Sequence, residues 1–317
     1  MNRAKRTQTE SLHVQLLREG ILESVHQVQA VVCDPKGRVL MSAGDPETEA
    51  FIRSALKPFQ ALATINAGTL DLFGLNDRDL AIICSSHQGS VEQARQAFNI
   101  LWHCDVDPSA LQCPIPLGKR SPLEHNCSGK HSGMLAICQQ QGWPLTDYTR
   151  KKHPLQQLIL TKVAELLQIP PAEMMMAQDD CGAPTLLMTL RQMASLYAQM
   201  ASNDHVDMER VVRAMTYHPH LVAGEGAFDT ELMRLSGGQV VSKSGAEGIQ
   251  CVAFIGEGLG LAVKVMDGAK RAKYAVTIAL LQQLGWVEGS TLDSLSEQFM
   301  SIDLIKRLDV RGELTLL

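Results

Sequence analysis

The segment Arg53-Ser54-Ala55-Leu56-Lys57-Pro58-Phe59-Gln60 sets a hydroxyl and an amine three residues apart at the start of an apolar stretch. Residues at this spacing share a face of a helix, so Ser54 and Lys57 are expected to touch. A serine hydroxyl is a poor nucleophile near neutral pH and needs a base beside it. A lysine becomes that base when burial or a nearby cation lowers its pKa, and the apolar residues that follow would bury it. Two further segments offer matching groups. Ser242-Lys243-Ser244-Gly245 lies at the end of an expected strand. Cys84-Ser85-Ser86-His87-Gln88-Gly89 lies between two expected elements, where an exposed hydroxyl has backbone N–H groups nearby. Together they could carry out acyl transfer through an activated serine. Taken singly, Ser-x-x-Lys is a common coincidence and a serine-rich loop is ordinary.

Two more clusters concentrate titratable groups. His125-Asn126-Cys127-Ser128-Gly129-Lys130-His131-Ser132-Gly133 precedes an apolar helix, and Lys130 near the start of that helix opposes the macrodipole. Asp179-Asp180-Cys181-Gly182-Ala183-Pro184 is the other. One thiolate from each segment could share a metal with a third ligand. The alternative is two buried thiols and a solvated carboxylate pair, which spacing alone favours.

These groups need a scaffold. Residues 28–33 and 38–41 flank the turn sequence Asp34-Pro35-Lys36-Gly37 and predict a β-hairpin. A helix is expected over 54–67, a short strand over 80–84, and a helix from Ser90 with Gln93 completing a capping box. Helical periodicity runs through 153–168, 185–202 and 207–217. Short β-rich runs follow at 239–242, 250–254 and 259–265, and a long helix at 269–284. Strands at both ends with helices between imply an α+β fold. Its mixed, mainly antiparallel sheet is built from both chain ends and flanked by helices, with a helical lobe packed on it. A cleft between lobes is the default place for a site. Residues 1–14 are expected to be a flexible tail, and 15–317 one two-lobed catalytic domain.

Composition narrows the function. The chain has 317 residues, is 45% hydrophobic and carries a net charge of −5 without charge blocks. Nucleic acid and membrane are poor partners for it. The basic start lacks the apolar core of a secretory signal. Eight cysteines, at 33, 84, 104, 113, 127, 138, 181 and 251, show no zinc-knuckle or redox spacing. They read as reduced thiols in a cytoplasmic protein.

Ser-x-x-Lys followed far along the chain by Lys-Ser-Gly is the pairing of penicillin-recognising serine enzymes, although their Ser-Asp-Asn element is absent. The whole set of segments more closely resembles the rhizobial-type (class 3) L-asparaginases. The resemblance runs from Leu22-Glu23-Ser24 and Gly44-Asp45-Pro46 through Arg53–Gln60, Ser86-His87, Asn126–His131 and Asp179–Cys181. It continues through Ala223–Gly226, Phe228-Asp229-Thr230 and Lys243–Gly248, and ends at Ala262–Gly268. It implies a serine β-lactamase-like fold, a homodimer, and release of ammonia from L-asparagine as a small-molecule substrate. By motif, Ser54 would be the nucleophile and Lys57 its base, with Ser86 and Lys243 a second Ser–Lys pair. Cys127, Lys130 and Cys181 would hold a zinc ion that organises substrate. Arg53, His87, His131 and Asp179 would contact substrate or support those that do. Ser90 and Ser244 stand where the family pattern leads us to expect Glu and Ala, which bears on substrate preference. Rival readings are a glutaminase or another serine acyl-transfer hydrolase, and a non-catalytic zinc- or amino-acid-binding relative.

Overall fold

The computed structural model describes residues 9–202 and 204–317. The chain divides into two compact units, each assembled from separate stretches of sequence. One holds the described part of Met1–Ala50 with Thr189–Ser202 and Gly245–Leu317; the other holds Phe51–Met188 with the described part of Asn203–Ser244. Residues 1–8 of the expected tail lie outside the described residues. The remainder is not all tail, because a strand begins at Leu12.

In the first unit the strands Lys306–Arg311, Leu12–Arg18, Ile21–Cys33, Leu259–Val265 and Ile249–Phe254 lie side by side in that order, antiparallel throughout. Val39–Ala43 pairs with Ile21–Cys33, and Thr315–Leu316 pairs with Val39–Ala43. The sheet therefore joins both chain ends, as the alternating apolar runs imply. The predicted hairpin is present. Its turn is tied by Asp34 Oδ1, which accepts the N–H groups of Lys36 and Arg38, and by Gly37 at a φ of +73°. Helices Leu190–Ala201 and Lys270–Leu284 pack on the sheet. Gly260 lets the first approach closely, since a Cβ there would sit 2.1 Å from the Ala194 carbonyl oxygen.

The second unit is mainly helical. At its centre runs helix Ser128–Gln141, whose residues 128–138 are all buried. A helix buried on every face belongs in the middle of a bundle, and its buried Lys130 and His131 need partners there. It packs against helices Lys57–Asn66, Asp77–Ile83, Val91–His103 and Pro154–Leu167. Gly129 permits one of these contacts, because a Cβ there would lie 2.0 Å from the Ile82 carbonyl oxygen. Strand Pro184–Thr189 pairs antiparallel with Met176–Gln178, and strand Val240–Ser244 lies against helix Phe228–Leu235 and the turn Arg53–Leu56.

Two expected elements differ. Residues 80–84 are not a strand; they end helix Asp77–Ile83, which opens with a capping box between Asn76 and Asp79. A five-residue apolar run buried throughout looks the same in either conformation. The helix expected over 185–202 is strand Pro184–Thr189 followed by helix Leu190–Ala201. Thr189 caps that helix and Gln192 completes the box, a start signal that the apolar periodicity masks.

Candidate active site

Every candidate residue lies in the second unit. The chain enters the site at Arg53, a non-glycine residue held at a φ of +53°. Two hydrogen bonds fix this bend: Ile52 N–H donates to the Leu186 carbonyl at 3.0 Å, and Arg53 N–H donates to Thr185 Oγ1 at 3.1 Å. Residues Arg53–Leu56 then form one 3-10 turn that feeds helix Lys57–Asn66, with Pro58 in its first turn, where no intrahelical amide partner is lost. Ser54 sits in this turn, half-buried. Among the described residues its hydroxyl makes no hydrogen bond.

Lys57 is 1% exposed and does not turn to Ser54 as its spacing predicts. Its Nζ donates to Ser85 O at 2.6 Å, Ser86 Oγ at 3.0 Å and Asn126 O at 3.3 Å. An ammonium has three N–H groups, and a buried one is stable only when all are matched. These three acceptors match them, so no donor is left for Ser54. Lys243, fully buried, donates to the same Ser86 hydroxyl at 2.8 Å and to Ser244 O at 2.8 Å. Ser86 is thus bracketed by two amines. The expected pairing of Ser86 with Lys243 is present, and Lys57 joins it.

The loop carrying Ser86 is pinned from three sides. Ser86 N–H donates to Val222 O at 2.8 Å. Gly89 adopts a φ of +70° and lies so close to Glu124 that a Cβ would meet its carbonyl oxygen at 2.3 Å. His87 supplies the third tie: Nδ1 accepts from Gly89 N–H at 3.0 Å, which leaves Nε2–H to donate to Ser128 Oγ at 2.8 Å. Burial, then the positive charge of Lys57, lowers the His87 pKa to about 3. His87 is therefore a neutral brace for the loop.

A thiol–amine cluster lies at the start of the central helix. Lys130 Nζ approaches Cys181 Sγ at 3.1 Å. A hydrogen bond from Cys127, and after the opposing cost of burial the Lys130 charge, bring the Cys181 thiol down to about 5. Burial works against the Lys130 ammonium, but the two sulfurs outweigh it and raise its pKa. The pair is best described as thiolate and ammonium. Burial instead pushes the thiols of Cys33, Cys84, Cys104, Cys113 and Cys138 up to about 12. Among the described residues no three His, Cys, Asp or Glu side chains converge as a metal site. A metal would rest on the sulfurs of Cys127 and Cys181 and on the Lys130 nitrogen, which must first lose its proton. Soft sulfurs with one nitrogen donor suit zinc.

Arg53 ties the two clusters together. Its guanidinium binds Asp179 Oδ1 through Nε at 2.8 Å and Nη2 at 2.7 Å, and Asp180 Oδ2 through Nη2 at 2.6 Å. Asp179 and Asp180 immediately precede Cys181. Burial raises the Asp179 pKa, but the Arg53 hydrogen bond and the charges of Lys130 and Arg53 hold it below the usual carboxylate value. His131 is fully buried. Tyr148 O–H lies 2.7 Å from His131 Nδ1 and itself accepts from Gln112 N–H. The phenol therefore donates to Nδ1, and the imidazole proton sits on Nε2, which has no partner among the described residues. Burial and the Lys130 charge keep this ring neutral. Asn126, Tyr148, Thr185 and Asp229, which no spacing rule singles out, also support the site. Only Asn126 and Asp229 lay inside recognisable sequence blocks.

A family model described as L-asparaginase II matches residues 14–316. The chain belongs to the L-asparaginase II family. Membership carries an amidohydrolase type of function. Among solved structures the chain is similar to Mglu, at 14% identity and a TM-score of 0.53, covering 82% of this chain and 67% of that one. A second structure, of Mglu in its native form, gives 14% identity and a TM-score of 0.51, with 83% and 65% covered. This chain thus spans about two-thirds of the length of those proteins, and at such identity the likeness concerns the fold. A β-lactamase, Mb2281c from Mycobacterium bovis, is matched with a TM-score of 0.40 and 13% identity, covering 82% of this chain and 95% of that one. No curated protein matches the chain. Among the described residues no helix is long and apolar enough to cross a membrane.

Proposed function

We propose that the chain hydrolyses the side-chain amide of L-asparagine to L-aspartate and ammonia through a serine ester. The observation that carries this is the Ser86 hydroxyl held between Lys57 and Lys243, in the unit where Ser54 leaves its own hydroxyl unengaged. Ser54 attacks the amide carbon and Lys57 takes its proton. With three acceptors already engaged, Lys57 must first pass a proton on through Ser86, a step open when Lys243 enters uncharged and turns its lone pair to the Ser86 O–H. That relay then protonates the departing ammonia, and water cleaves the β-aspartyl ester along the reverse path. The N–H groups of Ser86–Gly89 are all taken by protein acceptors, so the backbone beside Ser54 would hold the oxyanion, a donor there being worth about 3–4 kcal/mol.

A second reading is favoured by the hydrogen bonds themselves: Ser86, already in contact with both amines, is the nucleophile. Mass mapping of the acylated peptide distinguishes them. Ser54→Ala should abolish ammonia release by the folded protein, and near-normal turnover would reject Ser54. Glutamine is the rival substrate, and Mglu has been described in its glutamate form. Parallel ammonia assays with both amino acids give the preference.

Cys127, Cys181 and Lys130 would hold zinc, which when bound supplies a Lewis-acidic centre that orients the substrate. Arg53 and Asp179 fix the Cys181 turn beside it. Elemental analysis should show zinc in the purified protein and less in Cys181→Ala; equal stoichiometry removes Cys181 from the ligand set. A cytoplasmic homodimer completes the reading. The eight free, buried cysteines suit a reducing compartment, and light scattering in solution gives the assembly.

A further inference from the structure

Asp229 occupies the first turn of helix Phe228–Leu235 and is 3% exposed. Burying a carboxylate is costly unless its oxygens are well matched. Oδ1 accepts from Ser242 Oγ at 2.7 Å, and Oδ2 accepts from Ser244 N–H at 2.8 Å. The two residues it holds are those on either side of Lys243. Hydrogen bonds to a charged acceptor are among the stronger ones available to a side chain. Here they clamp the strand Val240–Ser244 immediately before and after the lysine, and leave the lysine's own chain to reach Ser86 at 2.8 Å.

We propose that Asp229 is a positioning residue for the reaction: by gripping Ser242 and Ser244 it sets the reach of Lys243 to the Ser86 hydroxyl. The inference rests on the amidohydrolase reading of the site and adds to it a residue outside the Ser–Lys pairs. A proton relay depends steeply on donor–acceptor distance. A strand free to shift by a fraction of its spacing would lengthen the contact between Lys243 and Ser86 without touching the substrate.

The test compares wild type, Asp229→Asn and Ser242→Ala by steady-state ammonia release, with a melting temperature for each. Asn keeps the shape of the side chain but replaces one acceptor with a donor. For Asp229→Asn the expected result is a kcat lower by about ten- to a hundredfold, with KM within about threefold of wild type. Ser242→Ala, which breaks one of the two bonds, should lose less. A merely structural role would lower the melting temperature and leave kcat of the folded protein alone. A folded Asp229→Asn with kcat within about twofold of wild type, or a loss carried wholly by KM, overturns the proposal. If Asp229→Asn does not fold, Ser242→Ala decides: kcat reduced at constant KM supports it, and unchanged kcat overturns it. Labelling of the active serine by a fluorophosphonate gives the same comparison without assuming the amide. Slower labelling of Asp229→Asn supports the proposal, and equal rates overturn it. A wild type that releases ammonia from neither asparagine nor glutamine, yet is labelled, rejects the substrate reading alone; one that is also not labelled rejects both.

Discussion

Lys57 shows how a side chain's chemistry is decided by what its protons find. The spacing to Ser54 is right for contact, but two carbonyls and the Ser86 hydroxyl surround the buried amine. Spacing reports which residues can meet, whereas the acceptors come from segments near positions 85 and 126 that no local pattern ties to position 57. His87 illustrates a second dependence, on pH. Its folded-state pKa of about 3 lies below the ordinary 6.5, so between these values the unfolded chain binds the extra proton. Its contribution to stability is therefore complete above about pH 6.5 and falls as pH drops toward 3, by up to about 1.4 kcal/mol per pH unit. Melting curves from pH 7 to pH 4 should show this decline, with a shallower slope in His87→Gln; parallel slopes would assign the acid sensitivity to other groups.

Among elements, the central helix Ser128–Gln141 carries Lys130 of the thiol–amine cluster and Ser128, the anchor for the Ser86 loop, so its packing bears on two halves of the site at once. Gly129 has no room for a Cβ against the Ile82 backbone, and Gly129→Ala should destabilise the protein by about 3 kcal/mol through overpacking. Gly289→Ala is the control: nothing lies within 4 Å of its added Cβ, and its melting temperature should match or exceed that of wild type. If both variants melt alike, close approach at Gly129 is not what holds these helices. The helix was legible in sequence only from the apolar residues 134–138; it begins earlier, at Ser128, within the polar cluster expected to precede it and without a side-chain cap. Its neighbour Asp77–Ile83 was not, since the run Leu80-Ala81-Ile82-Ile83 carries no period. The box formed by Thr189 and Gln192 was visible in principle, and would have split the long helix expected there.

At the scale of the whole chain, both units are discontinuous in sequence, and the sheet pairs the N-terminal strand Leu12–Arg18 with Lys306–Arg311. That arrangement could be anticipated, because strand-like runs cluster at the two ends with helical periodicity between. The order of strands could not, since it depends on pairings far apart along the chain. Deleting residues 306–317 would uncover the edges of Leu12–Arg18 and of Val39–Ala43 together. Unpaired edges template association, so the truncated protein should elute as aggregate in size-exclusion chromatography. A monodisperse product with wild-type melting would show that these last strands are dispensable.

Position 53 makes two demands that seldom coincide in one amino acid. Its backbone is in a conformation that glycine or asparagine tolerates best, and its side chain must span two neighbouring carboxylates, for which a forked cation is needed. A saturation library at this codon should therefore return a cliff: glycine relaxes the bend and drops Asp179 and Asp180, while lysine keeps the charge and forfeits the fork. Any lineage leaving arginine would have to rebuild the turn and the acidic pair in the same step.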